Sequence, residues 1–295
     1  MTPEAWLCEH AVRGGDVLSW VNTAHPGYAY PEAAGLLIRW FALRGIPVPR
    51  AVTASLTTVV SEQRVGRDGF AYAFDTAVVL AGLEALDEHE DPRWTQARRQ
   101  LRRAAVVHPA QDPHWSTLAG PHMLKLAVGC AARARRGWST PTLDWLADLR
   151  VQQDATGRLL TPPHDSTYVH AHAYGCEGLL ALRVLGVPAS VDIDGALQFL
   201  RLVQREDGGI PAWSDGGPSR ADTTAQAIRL WVLHDPDGHR TAIERGLEFL
   251  ESLTDAHGAV RYEPDSADRN TWCTLFAAQA RAWAAGATAR VEDLL

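Results

Sequence analysis

The chain has 295 residues, 46% of them hydrophobic and 21% charged, with a formal net charge of −7. These proportions suit a soluble globular protein with a large core. Basic residues cluster only at Arg98, Arg99, Arg102, Arg103 and at Arg133, Arg135, Arg136, so no continuous phosphate-tracking stripe exists and nucleic acid is excluded as a partner. Both clusters read as solvated faces of amphipathic helices. No basic start leads into an apolar run, and no stretch of about 18 apolar residues occurs, which points to a cytoplasmic protein with no membrane partner. The cysteines at 8, 130, 176 and 273 lack CxxC spacing and read as reduced thiols.

In chain order, Thr2 caps a first helix that has Pro3 at its first position and runs toward Trp20. After a polar, aromatic loop the helical period resumes over 30–43, and GIPVP breaks it. A second pair follows: helix 51–63, the loop RVGRDGFAYA, then helix 74–86. The third pair is DPRWTQARRQLRRAAVV with GPHMLKLAVGCAARA, and the fourth is TPTLDWLADLRVQQ with YVHAHAYGCEGLLALRVL. The fifth is VDIDGALQFLRLVQ with ADTTAQAIRLWVL, and the sixth is HRTAIERGLEFLESL with NTWCTLFAAQARAWAA. Strand signals are almost absent.

Gly157, Gly208 and Gly258 recur at spacings of 51 and 50, the mark of a repeat architecture. Within each pair the first helix carries charge along one face, while the second is nearly uncharged past its first turn. The first therefore faces solvent and the second is enclosed. Six enclosed helices bury one another by closing into a ring. The expected fold is all-α, an (α/α)6 toroid formed as a single domain over 1–295, its lumen lined by the inner helices.

The stretch 168–185 gathers the chemistry. Read as a helix, it puts His170, Tyr174 and Glu177 on one face at i, i+4 and i+7, and His172 with Cys176 on the adjacent face. His170 and Glu177 are then separated by about 10 Å along the axis. Histidine titrates near neutrality, so His170 or His172 is the expected general base, with Glu177 or Asp222 as acid or orienting partner and Tyr174 between them. Each inner helix brings a polar group to the same end: Glu32, Asp75, His122, the His170 set, Asp222, and Asn270 beside Trp272. With Tyr30, Trp213 and Arg220 these form the expected substrate contacts, and Tyr28, Tyr72 and Trp115 add aromatic faces. Ring faces stack on sugar C–H groups while carboxylates and imidazoles pair hydroxyls, so a polyhydroxylated ligand fits best. No GxSxG elbow and no glycine-rich phosphate cradle occurs.

The fifth unit, LQFLRLVQREDGGIPAW followed by SRADTTAQAIRLW, resembles the repeat of the terpene cyclase and prenyltransferase superfamily, in which a Gln, a Gly and an aromatic residue follow the outer helix. Gln153 and Gly157 repeat the spacing of Gln204 and Gly208. ADTTA around Asp222 resembles the acid motif of class II terpene cyclases, and FDTAVV at Asp75 looks like a second copy, with Arg220 standing where the motif has another carboxylate. That resemblance implies an isoprenoid cyclase or prenyltransferase with Asp222 as acid. The His, Glu, Tyr and Trp residues at the mouth are also similar to those of sugar-epimerase and glycan-processing toroids. This second resemblance implies acid–base catalysis on a carbohydrate-like small molecule by an epimerase, isomerase, lyase or hydrolase, and it is the preferred reading. A noncatalytic sugar-binding toroid is the third. No metal or cofactor is assigned. Zinc is the one candidate, because His170, His172, Cys176, Asp222 and Cys273 are ligand types and prenyltransferases of similar fold bind it. A homodimer is compatible with the sequence.

Overall fold

A computed structural model of the chain describes residues 1–22, 24, 27–61, 65–67, 70–86, 120–136, 151–160 and 165–295. The outer helices are α1 (Pro3–Trp6, continued by a π turn over Leu7–Ala11), α3 (Arg50–Ser61), α7 (Ile193–Val203) and α9 (Arg240–Ser252). The inner helices are α2 (Pro31–Arg44), α4 (Ala73–Ala85), α5 (Leu126–Arg135, entered through a 3-10 turn at Pro121–Lys125), α6 (Val169–Val184), α8 (Ala221–His234) and α10 (Thr271–Ala284). Most of the outer helices expected for the third and fourth pairs lies outside the described residues, as do Trp115 and the arginine cluster at 98–103. Inner helices touch in the order α2, α4, α5, α6, α8, α10, and α10 returns to α2, so the ring closes as expected. Burial follows the same division. The outer helix α7 buries one stripe of Ala196, Leu197, Phe199 and Leu200, whereas α6 is buried on every side from Val169 to Leu182. Glycines let the inner helices approach closely, with the backbones of Gly35 in α2 and Gly82 in α4 in contact.

One hydrogen-bonded latch recurs after the outer helices. Gln153 Nε2 donates to the carbonyls of Gly157 (3.0 Å) and Asp192 (2.7 Å), and Gln204 Nε2 donates to those of Gly208 and Ala242 (both 2.9 Å). Gly157, Gly208 and Gly258 have φ of 88°, 84° and 83°, and each is pressed against the start of the next unit: Gly195 of α7, Arg245 of α9, and for Gly258 the backbone of residues 1–3. Past the turn, a backbone N–H reaches a side chain on the following inner helix. Leu159 N–H donates to His172 Nδ1 (3.0 Å), Ile210 N–H to Thr224 Oγ1 (2.9 Å) and Val260 N–H to Thr274 Oγ1 (3.0 Å). Positions 172, 224 and 274 are therefore equivalent. It follows that 170, 222 and 272 align, as do 174, 226, 276 and 177, 229, 279.

Three expectations need correction. The first helix stops well short of Trp20, at Ala11, where the chain turns through the positive-φ pair Gly14 and Gly15 into a hairpin of β1 (Val12–Arg13) and β2 (Asp16–Val17). Short strands also occur elsewhere: β4 (Gly66–Arg67) with β5 (Phe70–Ala71), and β6 (Ile210–Trp213) with β7 (Gly216–Arg220). A further ladder pairs β3 (Trp20–Val21) with β8 (Arg269–Asn270) and joins the first unit to the sixth. These ladders have only two strands each, too short for periodicity in the sequence to reveal them.

The third correction concerns charge. Inner helices do carry it below their first turns. Glu177 is fully buried, 2.7 Å from Arg229 and paired with Lys125, and both cations also donate to the Leu295 carbonyl. Burial pushes the Lys125 ammonium down to about 8 against the pull of Glu177. Arg133 is buried at 4% exposure and paired with Glu84, so that member of its cluster is not on a solvated face.

Candidate active site

The starts of the inner helices converge on one mouth, where Asp222 meets His170. Asp222 lies in the first turn of α8, with Oδ1 accepting the Thr223 N–H at 2.8 Å. It is not the N-cap, a position held by Arg220. Its Oδ2 lies 3.6 Å from His170 Nδ1, beyond hydrogen-bond reach and well within electrostatic range. Both side chains are buried. Desolvation lowers the His170 pKa, opposed by Asp222 and Glu177 and by the Gln226 amide beside the ring, so the imidazole is neutral at neutral pH. Beneath it, Tyr174 meets the imidazole edge-on at 4.4 Å, and burial together with the charges of Glu32, Glu177 and Asp222 holds its hydroxyl protonated.

Two aromatic rims flank this pair. On one side Trp213 packs on Tyr168 (5.1 Å), which packs on His170 (5.8 Å). On the other, Trp20, Tyr28, Tyr30 and Trp272 follow one another at 4.9, 5.7 and 5.5 Å. Tyr28 and Trp213 are 39% and 38% exposed, so part of each side chain reaches the surface. Burial raises the Tyr168 hydroxyl to about 12, so it stays protonated. Tyr30 donates to Asp75 Oδ2 at 2.6 Å. The Arg220 guanidinium lies 4.0 Å over Tyr262 and 3.0 Å from Glu263. His122 is buried, its ring 6.0 Å from Phe74, which in turn lies 5.1 Å from Tyr174.

His170, Tyr174, Asp222, Tyr30, Asp75, Glu32, His122, Trp213, Arg220 and Trp272 thus belong to the mouth or the layer directly below it. Three expected residues are employed otherwise. His172 accepts from Leu159 at Nδ1 and donates to the Ala196 carbonyl at Nε2 (2.9 Å), and burial lowers its pKa to about 4. Both nitrogens are consumed, Nδ1 by the loop that precedes α6 and Nε2 by α7, so His172 is a wall residue. Glu177 does share a helix face with His170, two turns deeper, in the buried ion cluster. Asn270 caps α10, its side-chain oxygen accepting the Cys273 N–H at 3.0 Å. Gln226 and Tyr168 are mouth residues that sequence reasoning passed over. Gln226 stands four residues after Asp222, where Tyr174 stands four after His170, and that repeat spacing would have located it. Burial raises the Cys176 and Cys273 thiols, and among the described residues no three His, Cys, Asp or Glu side chains are grouped to hold a metal.

The closed ring of six inner helices is that of an α/α toroid. The fold is similar to a glycosidase structure with a TM-score of 0.63 at 15% identity, over 97% of this chain and 96% of that one. It is also similar to an α-1,6-mannanase from Salegentibacter sp. (TM-score 0.61, 13% identity, 96% of each chain). An unsaturated glucuronyl hydrolase mutant from Streptococcus agalactiae gives a TM-score of 0.59 at 12% identity, over 94% of this chain and 87% of that one. No protein-family model matches the chain, and no curated protein matches it in sequence. These likenesses establish the fold, and they lend nothing to the terpenoid or isomerase readings.

Proposed function

We propose that this chain is a glycan-processing hydrolase that cleaves a glycosidic bond at the mouth of its lumen. The observation that carries this reading is the neutral His170 and the Asp222 carboxyl group, 3.6 Å apart on adjacent inner helices and bracketed by two aromatic rims. Related folds support it, since variants of the glycosidase and the mannanase were captured with glucose and with α-1,6-mannotriose. Asp75 and Asp222 rise from the second and fifth inner helices, which stand opposite one another in a ring of six. With neighbouring axes about 9 Å apart, opposite axes are about 18 Å apart, and two carboxyls each reaching about 5 Å inward leave about 8 Å between them. That separation admits a sugar and a water, the arrangement of inverting hydrolysis. Asp75, oriented by the Tyr30 hydroxyl, takes the proton from the attacking water. Asp222, with His170 beside it, enters the step as the carboxylic acid, gives its proton to the departing oxygen and leaves as the carboxylate, and the proton that Asp75 took is exchanged back through solvent before the next turnover. Trp213 and Tyr28 stack on neighbouring sugar rings.

The test is reducing-sugar release by the purified chain from α-mannans, glucosides and unsaturated glucuronyl oligosaccharides, with the product anomer read by NMR. Asp222→Asn and Asp75→Asn should each lower kcat/KM at least about 1,000-fold, equivalent to about 4 kcal/mol, with the melting temperature kept. Absence of turnover on every glycan, or full activity in both variants, removes the proposal.

A further inference from the structure

At the opposite end of the ring, where α2, α4 and α5 finish, lies a pocket of about 450 Å³. We infer that this pocket binds a small dianion of the phosphate-monoester type, at a site separate from the mouth. Its floor is Ala42, Ala81, Ala85, Gly129 and Ala132, small residues that keep the space open. Around them stand the guanidinium groups of Arg39, Arg133, Arg135, Arg136 and Arg290, against the carboxylates of Glu84, Glu292 and Asp293. Among the described residues the lining therefore holds an excess of two positive charges in a chain whose net charge is −7. A local reversal of sign on that scale concentrates anions from solution.

The internal acids do not use up this donor set. Arg39, 5% exposed, gives one Nη to the Glu292 carbonyl and leaves its Nε without an acceptor among the described residues. Arg135 is held 3.6 Å from Asp293, a loose pair with both groups partly in solvent. The Arg290 guanidinium makes no ion pair or hydrogen bond among the described residues, and it is exposed at the pocket edge. Planar guanidinium forks match phosphate oxygens two at a time, and the volume accommodates a phosphate with a sugar-sized substituent. Among the described residues the walls supply no aromatic face, so the phosphate and not the sugar sets the affinity.

Isothermal titration of the full chain at constant ionic strength tests this with inorganic phosphate, glucose 6-phosphate and glucose. Saturable binding of both phosphates, and none of glucose, is the expected result. Arg135→Gln with Arg290→Gln should weaken phosphate at least tenfold while circular dichroism stays native. Arg290→Gln alone, which disturbs no described contact, should weaken it about threefold, and it remains informative if the double variant does not fold. Absence of saturable phosphate binding overturns the inference, as does unchanged affinity in Arg290→Gln. Neither readout involves turnover, so failure here is distinguishable from failure of the hydrolase proposal.

Discussion

Replacing His172 with threonine, the residue at the equivalent positions 224 and 274, tests whether this histidine belongs to the wall. Threonine can receive the Leu159 N–H but cannot reach the Ala196 carbonyl, so His172→Thr should cost about 1 kcal/mol for the unpaired carbonyl and about 1–2 kcal/mol for lost packing on Phe199. The diagnostic signal is pH. The native pKa of about 4 lies below the ordinary value of 6.5, so below pH 6.5 the unfolded chain binds more protons than the native one. Stability from this group is complete above pH 6.5 and is lost as pH falls toward 4. By pH 5 the loss is about 2 kcal/mol, or about 3 °C in melting temperature for a chain of this length. Calorimetry at pH 7.5 and pH 5.0 should show the native protein losing about 3 °C more than His172→Thr, with turnover at pH 7.5 unchanged. A variant as acid-sensitive as the native protein, or one that is folded yet inactive, would refute the assignment.

Two further substitutions probe the frame. Glu177→Gln strips the counter-charge from buried Lys125 and Arg229 and should cost about 3–5 kcal/mol in urea unfolding; a loss under 1 kcal/mol would mean that the cluster is hydrated. Gly208→Ala forces a Cβ into the Arg245 backbone at a φ of 84° and should cost at least about 3 kcal/mol, whereas Gly186→Ala, at a φ of 70° with open space around it, should cost about 1–2 kcal/mol. Equal losses would separate the glycine spacing from any packing role.

The ring was legible because its evidence is redundant. The spacing of Gly157, Gly208 and Gly258, and the contrast between charged outer and apolar inner helices, all specify one closed stack. Individual site residues have no such redundancy. His170 and His172 are two residues apart, about 200° around the helix, and only the backbone donor at Leu159 determines which of them faces the wall. Alignment of 172 with Thr224 and Thr274 was available in the repeat and would have settled the matter. Glu177 was placed on the correct face, but axial depth decides between a mouth and a dry ion cluster, and depth is not periodic. Arg133 went astray for a related reason: a charge buried by a partner 49 positions away has the same local pattern as one facing water.

The β3–β8 ladder has a kinetic consequence. Together with the Asn22–Asp268 hydrogen bond it links positions nearly 250 residues apart, and Gly258 seats on the backbone of the first three residues. An open array of hairpins can fray from its ends and regrow one repeat at a time. Here each inner helix is gripped from both sides, so a hairpin at the seam cannot fray as the end of an open array does. Assembly must instead wait for two segments nearly 250 residues apart to meet, which makes the seam between the first and sixth units the slow step of folding and, once made, the barrier that delays unfolding.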